Sequence, residues 1–263
     1  VGCVIVKNDN IIGEGFHQKY GEAHAEVVAL NAAGHNAHGA TLYTTLEPCS
    51  HTGKTSPCTQ SIVLAKISRV VVGVIDPDKN VAGNGIKQLR DAGITVDVGV
   101  EQTLVAQQLA PYLHHRRTGR PYVILKMAMT LDGRVTMPDS SQWITGEIAR
   151  KRVHQLRAES DAILVGAGTV RADNPSLTTR DFDGPSPRRV VLGNVLPTDN
   201  VNPCLEWTGS LPDLLDTLGN EGVIQLMVEG VPRVATSFHN ERLINQYVLH
   251  LAPIIAGGGQ TSN

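Results

Sequence analysis

The chain of 263 residues lacks what a nucleic-acid or membrane partner would require. Aromatic residues make up only 4% of it, and 23 basic side chains stand against 25 acidic ones, for a formal net charge of −2. A nucleic-acid surface needs a basic stripe, usually with rings on which bases stack, so the composition argues against one. No apolar run approaches the ~20 residues of a membrane-spanning helix. The longest, around residues 70–75, has the length of a strand. Four cysteines in a chain this long do not suggest a disulfide framework, which belongs to short secreted scaffolds. That usage, with no visible targeting signal, suits a cytoplasmic protein. The chain starts at Val1 inside an apparent strand, so the expectation is that the native start lies upstream and the missing signal carries little weight. No full G-x-G-x-x-G follows a strand, which leaves a Rossmann dinucleotide site without support.

What the sequence does contain is concentrated in His24-Ala25-Glu26, Pro48-Cys49 and Pro57-Cys58. One imidazole and two thiolates are three ligands for a tetrahedral zinc, with the fourth position left for water. Structural zinc sites close all four positions with protein, whereas catalytic ones keep one open. Glu26 lies two residues from the histidine, and a carboxylate beside an activated water can carry its proton to a departing amine. An H-x-E triplet followed by P-C-x-x-C is the known signature of zinc deaminases, so this assignment is a match to a pattern. The spacing departs from that pattern: eight residues, not two, separate Cys49 from Cys58. The intervening segment is polar and contains Gly and Pro, so it reads as a loop over the metal that carries His51 and Lys54 to the pocket mouth. A lone His or Cys is usually an ordinary core or surface residue; only the combination points to zinc. Cys3, in an apolar strand pattern, and Cys204, beside Pro203, read as inert small residues.

Strand and helix signals alternate in the first half. Apolar runs at residues 1–6 and 11–16 flank the hairpin signal Lys7-Asn8-Asp9-Asn10. A helix should begin near His24 and stop at Gly34. Strands follow at residues 41–45, 69–75 and 94–98, with helices after Cys58 and before Gly93, and a further helix over residues 101–113. Such alternation implies an α/β/α sandwich, with helix N-termini at His24 and at the cysteine loop directed to one metal. The basic stretch His114-His115-Arg116-Arg117-Thr118-Gly119-Arg120-Pro121 breaks the pattern and marks a domain boundary, giving domains of residues 1–115 and 120–263. A basic run is most often a solvated face, and no site is assigned to it.

These motifs resemble the bifunctional deaminase–reductase family of riboflavin biosynthesis. In the first domain the resemblance rests on Val1-Gly2-Cys3-Val4-Ile5-Val6, His24-Ala25-Glu26, and Thr45-Leu46-Glu47-Pro48-Cys49-Ser50-His51-Thr52-Gly53-Lys54-Thr55 through Cys58. In the second it rests on Leu131-Asp132-Gly133-Arg134, Ser141-Gln142-Trp143-Ile144-Thr145, residues 160–166, Gly168-Thr169-Val170-Arg171-Ala172-Asp173-Asn174-Pro175 and Leu177-Thr178-Thr179-Arg180. The resemblance implies a cytidine-deaminase-like domain with zinc, then a dihydrofolate-reductase-like α/β domain that uses NADPH. It implies a phosphorylated pyrimidine as the small-molecule substrate, deaminated in one domain and reduced at its sugar in the other. Glu26 takes the catalytic role, His24, Cys49 and Cys58 hold the metal, and His51 and Lys54 meet substrate. In the second domain Ala128, Trp143, Thr169 and Asp173 match positions that contact NADPH. Ser141, Arg157, Leu177, Arg180 and Glu229 match positions that contact substrate. Two arginines suit a phosphate ester, since a guanidinium fork matches its oxygens. From the sequence alone an ordinary helix-surface charge is favoured for Arg157, and Lys126 reads equally as a structural lysine or one facing the ribose.

Two departures from the family qualify these expectations. After Val228-Glu229-Gly230 the family has another glycine at the cofactor loop, where this chain has Val231. A β-branched residue resists positive φ and fills space, which predicts weaker NADPH binding or another loop path. Family members also carry an N-terminal helix and an Asn-Pro loop before the equivalent of Val1, and continue past Gly257-Gly258-Gly259 into further strands. Both domains are therefore expected to be truncated, with an exposed sheet edge that favours a homo-oligomer. Two rivals stay open: a deaminase with an inactive reductase-like domain, and a zinc-stabilised interaction module, which would have no need of Glu26.

Overall fold

A computed structural model describes residues 1–19, 21–52, 56–136, 143–180, 182–229 and 232–257. The chain divides into two compact units, Val1–Arg117 and Thr118–Asn263.

The first unit opens with the hairpin β1 (Gly2–Lys7) and β2 (Asn10–Phe16). Asn8 and Asp9 both take positive φ at its turn, the geometry whose twist matches paired strands. Next come α1 (Ala25–Ala33), β3 (Thr41–Leu46), α2 (Cys58–Leu64), β4 (Arg69–Val74), α3 (Asn84–Asp91) and β5 (Thr95–Val98). The sheet order is β2-β1-β3-β4-β5, antiparallel across β1 and parallel from β3 to β5. Alternation along the strands sends Cys3, Ile5, Leu42, Val70 and Val72 to one face, where α1, α2 and α3 cover them. At Gly15 a Cβ would lie 2.7 Å from the carbonyl oxygen of Ala25, so a glycine lets α1 sit directly on β2.

Leu46 and Val74 pack instead with Val105 on α4 (Gln102–Gln108), Leu113 on α5 (Ala110–Thr118) and Leu109 between them. The expected single helix over residues 101–113 is thus two, and the basic stretch does not break the helix. His114 to Arg117 lie within α5, whose one buried position is Leu113. The chain turns only at Gly119, at φ 76°.

The second unit contains β6 (Tyr122–Thr130), α6 (Glu147–Ala158), β7 (Ala162–Gly166), α7 (Ala167–Asp173), β8 (Arg188–Leu192) and β9 (Leu205–Trp207). It continues with α8 (Leu211–Asn220), β10 (Gln225–Glu229), α9 (Pro232–Asn240) and β11 (Gln246–Ala252). Its sheet is parallel throughout, in the order β11-β6-β10-β7-β8-β9. Parallel strands buried on both faces read as continuous apolar runs, as in Ala162-Ile163-Leu164-Val165. One face meets α8 and α9 through Leu125, Leu164, Val228 and Phe238. On the other, Met227 packs with Val153 and Leu156 of α6, and Ile163 and Val165 pack with Ala167 and Val170 of α7. Among the described residues no helix is long and apolar enough to cross a membrane.

Candidate active sites

The carboxyl end of β3 and the amino ends of α1 and α2 meet in one place. His24 is the residue before α1, Cys49 follows β3, and Cys58 opens α2. His24 Nδ1 lies 3.5 Å from Cys49 Sγ and 3.3 Å from Cys58 Sγ. Bonds of about 2.0 Å to nitrogen and 2.3 Å to sulfur at tetrahedral angles would put such neighbours roughly 3.5 Å apart. The three donor atoms, all within 4.8 Å of one another, therefore fit a zinc ion without rearrangement.

Their electrostatics favour a cation too. Cys49 is held well below the usual thiol range by its hydrogen bonds with Cys58 and His24, against the effect of burial. Cys58 is pushed up by that same contact with Cys49, by burial and by Glu26. Two thiols and an imidazole this close give up their protons when they bind a metal, so a dication would take the protons' place. Glu26, 3% exposed, places Oε2 3.6 Å from Cys58 Sγ. Burial raises its pKa.

A cavity of about 310 Å³ opens over this cluster, lined among others by His24, Glu26, Cys49 and His51. His51 thus stands where its loop was expected to carry it; Lys54 lies outside the described residues. The same cavity is lined by residues that the sequence did not single out. The His17 ring meets that of His24 edge-on at 5.4 Å. Asp76, its pKa raised by burial, accepts a hydrogen bond from Tyr112 Oη at 2.9 Å. Arg116 Nε approaches Asp78 at 3.8 Å, and its guanidinium stacks over the Tyr112 ring at 5.2 Å. The basic stretch to which no site was assigned therefore contributes Arg116 to this wall. A charge four helical positions from an aromatic ring, both facing a strand end, is the signal that could have found it.

Glu47 was also missed. It is buried, and one carboxylate oxygen accepts from the backbone N–H of Asp76 and Gly83, the other from Gly85 and Ile86. It ties the turn before Cys49 to the start of α3. Contact there is so close that a Cβ on Gly85 would lie 2.0 Å from the carbonyl oxygen of Pro48.

In the second unit a cavity of about 670 Å³ is lined by six of the anticipated residues: Ala128, Trp143, Arg157, Asp173, Arg180 and Glu229. Lys126, Arg150 and His154 line it as well. Arg157 is no surface charge, contrary to the reading that the sequence favoured. It is 9% exposed, and its Nε and Nη2 donate to the two oxygens of Glu229 at 2.7 and 3.0 Å. Its Nη1 donates to the Thr178 carbonyl at 3.2 Å. Burial opposes charge on Glu229, but Arg157 chiefly, with Lys126 and His154, outweighs it and the carboxyl pKa is lowered. One helical turn back, His154 Nδ1 accepts the Arg180 backbone N–H at 3.3 Å. α6 thus grips the segment after α7 at two points.

Leu177 and Thr169 do not line this cavity. The Leu177 side chain is buried in the α7 core, and its backbone takes φ 53°, a conformation uncommon for a leucine. Thr169 Oγ1 is buried and has no hydrogen-bond partner among the described residues. A hydroxyl left so is usually met by a group from outside, which fits a cofactor at this position. Ser141 and Val231 lie outside the described residues.

Residues 1–74 match the cytidine and deoxycytidylate deaminase zinc-binding region, and residues 121–263 match the RibD C-terminal domain. The riboflavin biosynthesis protein RibD of Bacillus amyloliquefaciens is 42% identical over 295 residues, covering 98% of this chain and 79% of the relative. The chain belongs to the RibD family. Its structure is similar to that of Acinetobacter baumannii RibD (form 1), with a TM-score of 0.89 at 38% identity over 98% of this chain and 81% of that one. A Thermotoga maritima diaminohydroxyphosphoribosylaminopyrimidine deaminase/5-amino-6-(5-phosphoribosylamino)uracil reductase gives 0.87 at 35% identity, again over 98% of this chain and 81% of that one. As a RibD family member the chain is a bifunctional deaminase and reductase of riboflavin biosynthesis, with zinc and NADPH as its cofactors. His24, Cys49 and Cys58 are the residues that fit the zinc.

Proposed function

We propose that the first unit deaminates 2,5-diamino-6-ribosylamino-4(3H)-pyrimidinone 5′-phosphate and that the second reduces the ribosyl group of the aminouracil product to a ribityl chain. The observation that carries this reading is the convergence of His24, Cys49 and Cys58 with the buried Glu26 beneath one cavity. Zinc held by these three ligands would supply Lewis-acid activation of a water. Glu26 would take a proton from the attacking water, whose oxygen bonds the amine-bearing ring carbon, and pass it to the amine nitrogen, which leaves as ammonia when the C–N bond breaks. His51 at the rim, with Lys54, meets the phosphorylated sugar. His17, Asp76 and Asp78 present the polar wall against which the heterocycle's own donors and acceptors are read.

In the second unit, NADPH bound against Ala128, Trp143, Thr169 and Asp173 would supply the hydride. Ser141, Arg157, Arg180 and Glu229 hold the substrate, with Leu177 contributing through its backbone. Glu229 and Arg157 lock each other, so both are oriented before substrate arrives. Lys126, at the cavity and electrostatically coupled to Glu229, is placed to face the sugar.

A mass-spectrometric assay of the zinc-loaded protein tests both halves. With the diaminopyrimidinone phosphate alone, the expected product has an oxo group in place of the amine. With NADPH added, a further gain of two hydrogens is expected. Amine-to-oxo conversion that never proceeds to reduction would overturn the reductase half, and no conversion by zinc-loaded protein would overturn the substrate.

A further inference from the structure

We propose that Arg150 is a phosphomonoester-binding residue of the reductase cavity, a role the anticipated residues leave to Arg157 and Arg180. The proposal rests on the reading of this cavity as the reductase site. Among the described residues four cations line it, Lys126, Arg150, Arg157 and Arg180, against two carboxylates, Asp173 and Glu229. Arg157 is the cation least able to serve an anion, because both Glu229 oxygens already neutralise its guanidinium. Arg150 has no carboxylate partner among the described residues. Its guanidinium stacks over the Trp143 ring at 5.0 Å and spends one N–H, on Nη1, on the Thr145 carbonyl at 2.9 Å. A guanidinium is planar, and its remaining N–H groups form a fork that suits phosphate oxygens, while the ring beside it limits where that fork can point.

The position is fixed by the helix. Arg150, Val153, His154 and Arg157 recur at the spacing of one helical face, and all four line the cavity. Arg157 is tied to Glu229 and Thr178, and His154 to the backbone of Arg180. Arg150 stands a turn before His154, beside Trp143, without such an ionic tie.

Two ligands of this site carry a phosphomonoester, the substrate at its sugar and NADPH at its adenosine ribose. Equilibrium binding to the 263-residue chain and to its Arg150→Gln variant separates them. The ligands are NADPH, NADH, and the phosphorylated and dephosphorylated aminouracil. Loss of a charged hydrogen bond should weaken binding about tenfold or more. If the cofactor phosphate is the ligand, Arg150→Gln weakens NADPH by that factor and leaves NADH unchanged. If the substrate phosphate is the ligand, the loss falls on the phosphorylated aminouracil alone. Arg150→Lys, which keeps the charge without the fork, should restore part of either loss. A residue that merely holds the Trp143 segment would weaken all four ligands alike or none, and either result overturns the proposal. Wild-type protein that distinguishes neither pair of ligands overturns it as well. Failure of the reductase reading would show separately, as absence of hydride transfer in the turnover assay.

Discussion

In the first unit the chemistry-bearing atoms lie within 4.8 Å of one another, supplied by two helix starts and a strand end. In the second, charged side chains line a cavity of about 670 Å³ and touch in only a few places. The difference follows from what each site has to hold. Three soft donors for one cation must be placed to a fraction of an ångström, and backbone elements can do that. An extended cofactor and a phosphorylated sugar need a surface with a net positive lining, where long side chains adjust. The first design is therefore fragile at single positions, and the second at the ion pair that anchors it.

The sharpest break is at the metal. Cys58→Ser should abolish zinc retention and deamination together, read as bound metal and ammonia release. Reduction of supplied aminouracil should persist, because the described lining of the second cavity contains no residue of the first unit. Loss of both activities would show that the two sites are not built independently.

Next in size is Arg157→Leu. Removing one partner of an ion pair whose side chains are 11% and 15% exposed leaves Glu229 charged without its hydrogen-bonded partner, at a cost of about 3–5 kcal/mol. Both tryptophans of the chain, Trp143 and Trp207, lie in the second unit, so their fluorescence follows its unfolding. The pH dependence has a definite sign. In the wild type the Glu229 pKa is lowered, so its stabilisation is complete above the unfolded value of about 4.3 and is lost as pH falls through the folded one. In the variant burial dominates and the pKa rises, so protonation relieves the strain. The stability gap between the two proteins should narrow as pH is lowered from 7 towards 4, a pH range set by that reference value. A gap independent of pH would mean that the pair contributes packing and not charge.

The smallest effect is expected at Gly85→Ala. With 2.0 Å between the added carbon and Pro48 oxygen, α3 or the cysteine turn must shift, at about 1–3 kcal/mol. Faster zinc release to a chelator is the expected readout. Unchanged release would show that Cys49 is held without α3.

The sequence made the zinc site legible because its ligands are rare residue types in the order of a known signature, even though the cysteine spacing departs from it. The hairpin at Asn8 and Asp9 and the stop of α1 at Gly34 were legible from local signals. Arg116 and Glu47 were not. Their roles depend on which strand end and helix start meet in space, and a basic run or a buried glutamate looks the same in many sequences. Arg157 was misjudged towards the surface, since nothing near it in sequence announces Glu229, 72 residues away. The second cavity was legible only as a family resemblance, because its polar residues come from elements far apart in sequence.

The single carboxylate of Glu47 also has a kinetic consequence. The amide protons of Asp76, Gly83, Gly85 and Ile86 are all held by its two oxygens. No one of them can exchange with solvent by a private fluctuation of its own loop. They should be protected as a group and released as a group, at the rate at which Glu47 itself lets go, and the turn that carries Cys49 should share that clock.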